Sequence, residues 1–397
     1  MKWEKVKLSE VTEYITDGDH QPAPKSDSGV LFVKIKDIQD NRLTFDNALF
    51  VPQEYYNRLP KNRKAEYGDT LYTVVGSYGI PAFVNHNIPF CFERNIALLH
   101  PNNRVIPKYL YYAVNNPIFY GNANNIANGS AQKLIPLSKL AGMEISVPPI
   151  ERQETIVNIL SAYDDLIENN QKQIKLLEEA AQRLYKEWFI DLRFPGHENV
   201  KIVDGVPEGW ERMVLSEVTS ILKRGISPKY SDNGKYSVIN QKCIRSSIMD
   251  ISESRRQEKE YVPTLNLQDS DTVICSTGTG TLGRVGRVYG DYPNTTFDSH
   301  VTLVRAKENP NYIYPVVKSQ QEYLMGMGRG STNQQELYRD VIERLVVLCP
   351  SQDILLKAER VLNAIHCKIK AVYLQNNLLV ESRDRLLPKL MSGEIEV

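Results

Sequence analysis

An internal duplication constrains the fold of this chain more than any other feature of its 397 residues. Residues 3–12, which begin with Trp3, return as residues 210–219, which begin with Trp210. Further matches follow at a nearly constant offset of roughly 200 residues. They pair Gly76-Ser77-Tyr78-Gly79 with Gly280-Thr281-Leu282-Gly283, residues 107–111 with 310–314, and residues 129–132 with 330–333. Chance matches would scatter, so the steady offset predicts two copies of one module.

Each copy begins with a globular part in which short β-like runs alternate with turn signals. The strand candidates are residues 31–35, 70–75, 95–99 and 144–147 in the first copy, and 271–275, 300–304 and 345–348 in the second. Helical pattern is sparse and lies around residues 108–114. The mixture predicts the α+β class, with two similar globular domains.

A long helical pattern follows each globular part. No Pro or Gly occurs between Pro149 and Pro195, and apolar residues recur there at alternating steps of four and three. This heptad pattern is typical of a helix that packs along a partner helix. The first seam is Ile156, Leu160, Tyr163, Ile167, Asn170, Ile174, Leu177, Ala181, Leu184 and Trp188. The second is Ala358, Leu362, Ile365, Ile369, Val372, Asn376, Leu379, Arg383, Leu386 and Leu390.

We predict that the two helices pair as an antiparallel coiled coil, with the domains at its ends in a pseudo-two-fold repeat. A helix over residues 155–189 would span about 50 Å. Asn170 and Asn376 are polar seam positions, which fix register at some cost in stability, and Arg383 breaks the apolar series. The alternative, a helix that only covers its own domain, is disfavoured because the seam is too long.

The predicted boundaries follow from this pattern. The first globular domain is residues 1–149, and the central helical region is residues 150–192. The second domain is residues 193–349, with a linker at 193–208, and the distal helical region is residues 350–397.

Composition excludes some classes of protein. Lys plus Arg and Asp plus Glu both number 48, so a protein coated in positive charge is excluded, although a local basic face is not. The 5 cysteines form no CxxC pair and have no His at zinc-ligand spacing, which favours free thiols in a reducing compartment. No run approaches the roughly 20 apolar residues of a membrane span, and the N-terminal segment is charged where a signal peptide is apolar. We expect a cytoplasmic protein.

Several short motifs occur in a fixed order along the chain, and some of them occur in both copies. Trp3, Leu8 and Glu10 return as Trp210, Leu215 and Glu217; residues 17–22 read Asp-Gly-Asp-His-Gln-Pro; residues 129–132 read Gly-Ser-Ala-Gln; and residues 149–156 read Pro-Ile-Glu-Arg-Gln-Glu-Thr-Ile. Together they resemble the specificity (S) subunits of type I restriction–modification enzymes, over essentially the whole chain. The second copy departs at residues 350–353, which lack the Glu-Gln pair of the helix opening.

The resemblance implies two target-recognition domains, each reading one half of an asymmetric split site in double-stranded DNA. It also implies two helical regions that set the spacing and dock two methyltransferase (M) subunits. S-adenosylmethionine, ATP and Mg²⁺ are then expected on the methyltransferase and the restriction/translocase (R) subunits, with no cofactor in this chain.

Several motifs imitate active sites. Residues 278–283 form GxGxxG, but an alternating, glycine-broken segment follows where a dinucleotide site needs a helix, so a loop that approaches DNA phosphates is favoured. Asn116-Pro117 and Asn309-Pro310 echo the Asn-Pro-Pro-Tyr loop of amino-methyltransferases but lack its second proline. The 6 histidines form no metal or triad spacing. We expect no catalytic residues and no metal site.

Base reading needs Arg, Lys, Asn and Gln side chains on loops at one face. In the first domain the candidate DNA-binding residues are His20, Lys36, Ser77, Tyr78, Arg94, Gln132 and Lys133. In the second they are Arg224, Lys229, Tyr230, Gln241, Lys242, Thr279, His300, Arg329, Ser331, Asn333 and Gln334. His20 and His300 can alternatively be structural residues whose hydrogen bonds are satisfied within the protein.

Two alternatives remain open from the sequence. One is a DNA adenine methyltransferase that acts on its own, and the other is a coiled-coil scaffold without a DNA role. The first would methylate DNA without partners, and the second would show no salt-sensitive DNA binding.

Overall fold

The computed structural model describes residues 3–46, 48–129, 133–330 and 335–397. The chain forms two compact units. The first unit is Met1–Ile167 with Leu378–Val397, and the second unit is Glu168–Asn377. The predicted domain boundaries in the sequence remain a prediction, because each long helix contributes residues to both units.

The first unit is a mixed α/β globule. Its strands are β1 Glu4–Lys7, β2 Thr12–Asp17, β3 Val30–Val33, β4 Ile38–Gln39, β5 Arg42–Leu43, β6 Leu49–Val51, β7 Thr70–Thr73, β8 Pro81–Phe83, β9 Phe90–Phe92, β10 Ile96–Pro101 and β11 Glu144–Val147. Its helices are α1 Leu8–Val11, α2 Gln53–Arg58, α3 Pro107–Val114, α4 Pro117–Ile126, α5 Leu137–Ala141 and the first part of α6 Ile150–Tyr185.

Two sheets form the frame of this unit. An antiparallel sheet has the order β2-β10-β7-β8, and a mixed sheet has the order β6-β3-β9, in which β3 runs parallel to β9. The central strand β7 is buried throughout, and β10 is buried along its apolar residues Ile96–Leu99. The predicted strands therefore form, with ends displaced by one or two residues.

The long helices pack on each other within the first unit. Leu160 of α6 belongs to the same buried cluster as Leu387, Leu390 and Met391, which lie near the carboxyl end of the second long helix. Arg383, the polar break in the predicted seam, donates to Asp164 at 2.9 Å. The break is thus an ion pair across the helix pair.

The second unit repeats this architecture. Its strands are β12 Ile202–Val203, β13 Val206–Pro207, β14 Glu211–Val214, β15 Thr219–Arg224, β16 Tyr236–Ile239, β17 Arg255–Gln257, β18 Thr272–Cys275, β19 Val285–Arg287, β20 Thr295–Phe297, β21 Val301–Ala306 and β22 Val346–Cys349. Its helices are the last part of α6, α7 Pro310–Ser319, α8 Gln321–Gly326, α9 Arg339–Glu343 and most of α10 Gln352–Ser392. The sheet orders β15-β21-β18-β19 and β17-β16-β20 match those of the first unit strand for strand. The predicted duplication is confirmed.

The helix pairing in the second unit fixes its direction. Ile174 of α6 clusters with Ile369 and Val372 of α10. Farther along, Tyr185 at the end of α6 and Phe189 in the turn that follows it cluster with residues nearer the start of α10, namely Ile354, Ala358 and Leu362. Rising numbers on one helix meet falling numbers on the other, so the predicted antiparallel pairing is confirmed.

The predicted seam residues differ in burial. The buried ones are Leu160, Ile167, Asn170, Ile174, Leu362, Ile369, Asn376 and Leu390, whereas Leu177, Leu184, Trp188, Leu379 and Leu386 are half-buried. Beyond Leu177 the structure buries Tyr185 and Phe189 more fully than the predicted Leu184 and Trp188, and a π-helical turn at Lys186–Ile190 accompanies this change of face. Asn170 donates to Gln375 at 3.2 Å, a polar contact within the seam.

Candidate nucleic-acid interface

Strand register in the first unit brings several loops to one edge of the sheet. Ala97 at the start of β10 pairs with Asp17 at the end of β2, and Ile96 pairs with Thr73 at the end of β7. The parallel strands β3 and β9 end side by side, and Asp19 bridges Glu93 just beyond them. The loops after β2, β3, β7 and β9 therefore meet at this edge, here named the first edge.

The first edge gathers the predicted DNA-binding residues of this domain. The loops and turns there carry His20, Lys36, Ser77, Tyr78, Arg94 and Lys133. Lys133 joins them because its carbonyl accepts from Gly76 N–H at 3.0 Å, and Leu134 bridges Val75. Gln132 lies outside the described residues. The side chains of Lys36, Ser77, Arg94 and Lys133 are exposed.

A tyrosine stack organises part of the first edge. The rings of Tyr78 and Tyr120 lie parallel within 15°, with their centroids 6.2 Å apart. The Tyr78 hydroxyl donates to Asn124 Oδ1, and Lys133 Nζ donates to the same oxygen at 3.1 Å. Tyr120 and Asn124 were missed by the sequence reading, although their spacing of four on one helix places both on one face.

An acidic network holds the His20 loop in place. His20 Nε2 lies 3.0 Å from Asp17 Oδ2. The Asp19 carboxylate accepts from Arg63 at 3.1 Å and from the Tyr55 hydroxyl at 3.1 Å. Arg63 and Tyr55 gave no sequence signal, because they are distant in the chain from the loop that they contact.

The second unit forms an equivalent edge, here named the second edge. Arg224 at the end of β15 pairs with Thr302, and Cys275 at the end of β18 pairs with Val301. Ile226 bridges Asp298, as Asp19 bridges Glu93 in the first unit. The strand ends and loops of this edge carry Arg224, Tyr230, Gln241, Lys242, Thr279, His300 and Arg329. Ser331, Asn333 and Gln334 lie outside the described residues.

One glycine in each copy shows why the two edges are built alike. A Cβ added at Gly18 would lie 2.0 Å from the carbonyl oxygen of Phe92, and one added at Gly225 would lie 2.2 Å from that of Phe297. Only glycine allows the strand end to approach the neighbouring backbone so closely. The glycine that follows β2, and its counterpart after β15, therefore have the same packing cause.

The second edge is held by charge. Arg224 forms an ion pair with Glu336, and burial lowers the pKa of its guanidinium. His300 Nδ1 lies 2.6 Å from the Thr277 hydroxyl, and the backbone N–H of His300 donates to Asp298 Oδ1 at 2.8 Å. Burial raises the pKa of the Asp298 carboxyl although the His300 N–H opposes the rise. Arg224 and His300 thus have structural partners in this unit as well as places at the edge.

Beside the second edge, Arg255 stacks on Tyr230, with its guanidinium carbon 3.6 Å from the ring centroid. Lys229 forms an ion pair with Glu258 at 3.0 Å. Arg255 was missed because its strand, β17, is short and polar and gave no clear period-2 pattern.

The GxGxxG segment forms the turn between β18 and β19. Gly283 N–H returns to the carbonyl of Cys275 at 2.8 Å, and strand β19 follows at Val285. Asn116 caps α4 by accepting from Ile118 N–H at 3.0 Å. In the described part of the chain, no group of three or more His, Cys, Asp or Glu side chains is placed to hold a metal. Nor does any described helix have the length and apolar composition that a bilayer span requires.

The model of a protein family described as the type I restriction modification DNA specificity domain matches residues 1–179 and again residues 207–354. The chain belongs to this family. The two matches correspond to the two copies, so the resemblance drawn from the motifs is confirmed.

Relatives from other organisms are similar in sequence to most of this chain. The type I restriction enzyme MjaIX specificity subunit of Methanocaldococcus jannaschii is 28% identical over 78% of this chain and 74% of its own length. The type I restriction enzyme HindI specificity subunit of Haemophilus influenzae is 22% identical over 92% of this chain and 94% of its own. A crystal structure of the S subunit of a type I restriction-modification system from M. genitalium covers 98% of this chain and 96% of its own chain, with a TM-score of 0.58 at 17% identity. That likeness shows the shared fold.

Within this type I specificity protein, the helix-opening motif has a structural role. The Gln153 side chain is buried, accepts from Ile106 N–H at 2.8 Å and donates to the carbonyl of Pro148 at 2.9 Å. It fastens the start of α6 to the first domain. The second copy lacks this glutamine, and there Glu359 accepts from the backbone of Tyr312 at 2.9 Å.

Proposed function

We propose that this chain is the DNA-recognition subunit of a type I restriction–modification complex and reads a bipartite, asymmetric site in double-stranded DNA. One observation supports this most directly: the two units place the same loops at the same edge of the same sheet, with different side chains on them. The same sheet frame in both units fits one shared role, DNA recognition. The different side chains on the loops fit two different half-sites.

The chemistry is assigned to the partners in this proposal. Two methyltransferase (M) subunits carrying S-adenosylmethionine dock on the long helices, and restriction/translocase (R) subunits using ATP and Mg²⁺ join for cleavage. This chain contributes recognition without catalysis and works in the cytoplasm. Membership of the specificity-domain family supports this division of labour.

Long-read mapping of adenine methylation in the host, with and without the gene, tests this function. We expect one split motif to lose its methylation when the gene is deleted. Purified chain mixed with labelled S-adenosylmethionine should transfer no methyl group until M subunits are added. Methylation by the chain alone would favour the stand-alone methyltransferase. The absence of salt-sensitive DNA binding when the partners are present would favour the scaffold without a DNA role.

Combining Lys242→Ala with Gln334→Ala is expected to weaken recognition of one half-site only. Lys242 is exposed on the turn that follows β16, where loss of a reading cation lowers discrimination by about 10- to 100-fold. Binding of the assembled complex to oligonucleotides varied in each half-site measures this. Lys368→Ala, an exposed lysine of α10, is the control. Unchanged preference in both half-sites would remove these residues from the reading surface.

The docking role of the helices makes a separate prediction. Leu176 on α6 is 64% exposed, and Leu374 on α10 is also exposed. Leu176→Glu should lower the affinity for M subunits by about tenfold or more, because a charge enters an apolar interface, and should leave the melting temperature unchanged. Titration calorimetry or gel filtration of the mixture measures it, with Lys175→Glu as the neighbouring control. Full affinity in Leu176→Glu would place the docking surface elsewhere.

A further inference from the structure

Three side chains of the first edge form a closed hydrogen-bond cluster, here named the donor cluster: Tyr78, Asn124 and Lys133. Lys133 Nζ lies 3.1 Å from Asn124 Oδ1 and 3.4 Å from the Tyr78 hydroxyl. The Tyr78 hydroxyl in turn donates to Asn124 Oδ1. Asn124 and Lys133 are exposed, so the cluster faces outward at the edge.

The donors and acceptors of the donor cluster can be assigned by chemistry. An ammonium group only donates, so the Asn124 atom that it contacts is the amide oxygen. That oxygen receives two donors, from Lys133 and Tyr78, which occupies both of its lone pairs. On the amide and the ammonium, what remains to meet a ligand is the NH₂ group of Asn124 and one N–H of Lys133. The cluster therefore presents donors and no acceptor on its amide.

This inventory excludes the usual way in which asparagine reads DNA. Asparagine recognises adenine by accepting from N6 and donating to N7, and here its acceptor is occupied. Cytosine presents only a donor, N4, in the major groove. Guanine presents two adjacent acceptors, O6 and N7, which match two neighbouring donors. We propose that the donor cluster reads a guanine in the half-site of the first domain, an inference that rests on the DNA-recognition function proposed above.

The geometry around the cluster favours a base over a backbone phosphate. Tyr78 is held against Tyr120 by the ring stack, and a Cβ at Gly79 would lie 2.5 Å from the Tyr120 ring, so the turn fits closely against α4. The three members come from three separate segments, and each restrains the others. Phosphate neutralisation does not need such positioning, whereas base reading does.

The second domain has no equivalent of this cluster among its described residues. The position that matches Tyr78 in the repeated Gly-x-x-Gly turn is Leu282, which is 5% exposed and belongs to the core. The inference thus applies to one half-site and provides a physical reason for the two halves to differ.

The test uses the assembled complex with its M subunits, in a host that lacks the native gene. Lys133→Ala and Asn124→Asp are compared with wild type and with Lys139→Ala, an exposed lysine of α5. Methylated motifs are mapped by long-read sequencing, and binding is measured on oligonucleotides varied at every position. We expect Lys133→Ala to lose about 10- to 100-fold of the preference at one G·C pair and at no other position. Asn124→Asp replaces the free donor by an acceptor and should disfavour guanine further.

Base analogues at that position identify the atoms. Replacing the guanine with 7-deazaguanine removes N7 and should weaken binding of wild type. The same weakening in Lys133→Ala assigns N7 to Asn124, and its loss in that variant assigns N7 to Lys133. Inosine keeps O6 and N7 and should bind like guanine.

The outcomes separate cleanly. If Lys133→Ala weakens every sequence equally, the cluster holds a phosphate and the guanine assignment is overturned. If both variants keep the wild-type motif and affinity, the cluster does not touch DNA. If deletion of the gene changes no methylated motif, the proposed function itself fails, whatever the variants do.

Discussion

Arg287→Ala is expected to destabilise the second unit by about 3–5 kcal/mol. Arg287 is 2% exposed, and burial lowers the pKa of its guanidinium. Its two terminal nitrogens donate to the carbonyl of Pro310 at 2.9 Å and to Asn311 Oδ1 at 2.6 Å, and its charge lies over the Tyr314 ring. Asn311 then donates to Glu359 of α10 at 2.7 Å. Alanine would remove the side chain that ties β19 to α7 and would leave the Pro310 carbonyl and Asn311 Oδ1 without this donor.

The loss should be local to the second unit, so hydrogen exchange is the suitable measurement. Amides of β18, β19 and α7 should lose protection in Arg287→Ala, together with a lower free energy of unfolding. Arg287→Lys keeps the charge without the forked donors and should be intermediate. Arg245→Ala removes a 64% exposed arginine side chain and should change stability by less than about 0.5 kcal/mol. A loss below about 1 kcal/mol in Arg287→Ala would contradict the anchoring role.

Leu160→Ala is expected to destabilise the first unit by about 2–5 kcal/mol. Leu160 is fully buried in the cluster that joins α6, the last turns of α10 and the globular core. Removing its three outer carbons leaves a cavity among side chains from all of these elements. Leu166→Ala makes the same chemical change on the same helix at a 39% exposed position, so it should cost less than about 1 kcal/mol.

Denaturant unfolding measures the free energy of unfolding of the two leucine variants. Hydrogen exchange then shows whether the loss lies in the first unit. Equal effects at Leu160 and Leu166 would mean that the helix seam is not the side that packs. Mixing each variant with M subunits shows whether destabilised packing between α6 and α10 also weakens assembly of the proposed complex.

Much of the frame was predictable because local pattern and tertiary structure agree. The constant offset of the repeats predicted the shared sheet order, and the steps of four and three predicted the helix pair. Arg383 was noted as a break in the apolar series, but its partner Asp164 could not be found from the pattern. An ion pair between segments so distant in sequence leaves no local signal.

The edges were predictable only in part. Glycine-rich turns and polar loops indicated where Tyr78, Lys133 and Lys242 belong, since such loops end buried strands. Arg287 was missed for the opposite reason. It stands in an alternating Arg-Val-Gly-Arg-Val run, where charge suggests exposure, yet the residues that accept from it lie in the following helix. The role of each side chain at the DNA remains a prediction.

The first unit contains the segment Leu378–Val397, so its core is assembled from residues at both ends of the numbering. Val6 and Leu8 belong to one buried cluster with Leu390 and Met391. During translation, Val6 and Leu8 are synthesised early, whereas Leu390 and Met391 are synthesised late. All of the second unit, Glu168–Asn377, is therefore synthesised before the core of the first unit can be completed. The module made first is therefore the last to finish folding, and until then its unpaired apolar face depends on protection from solvent and from other chains.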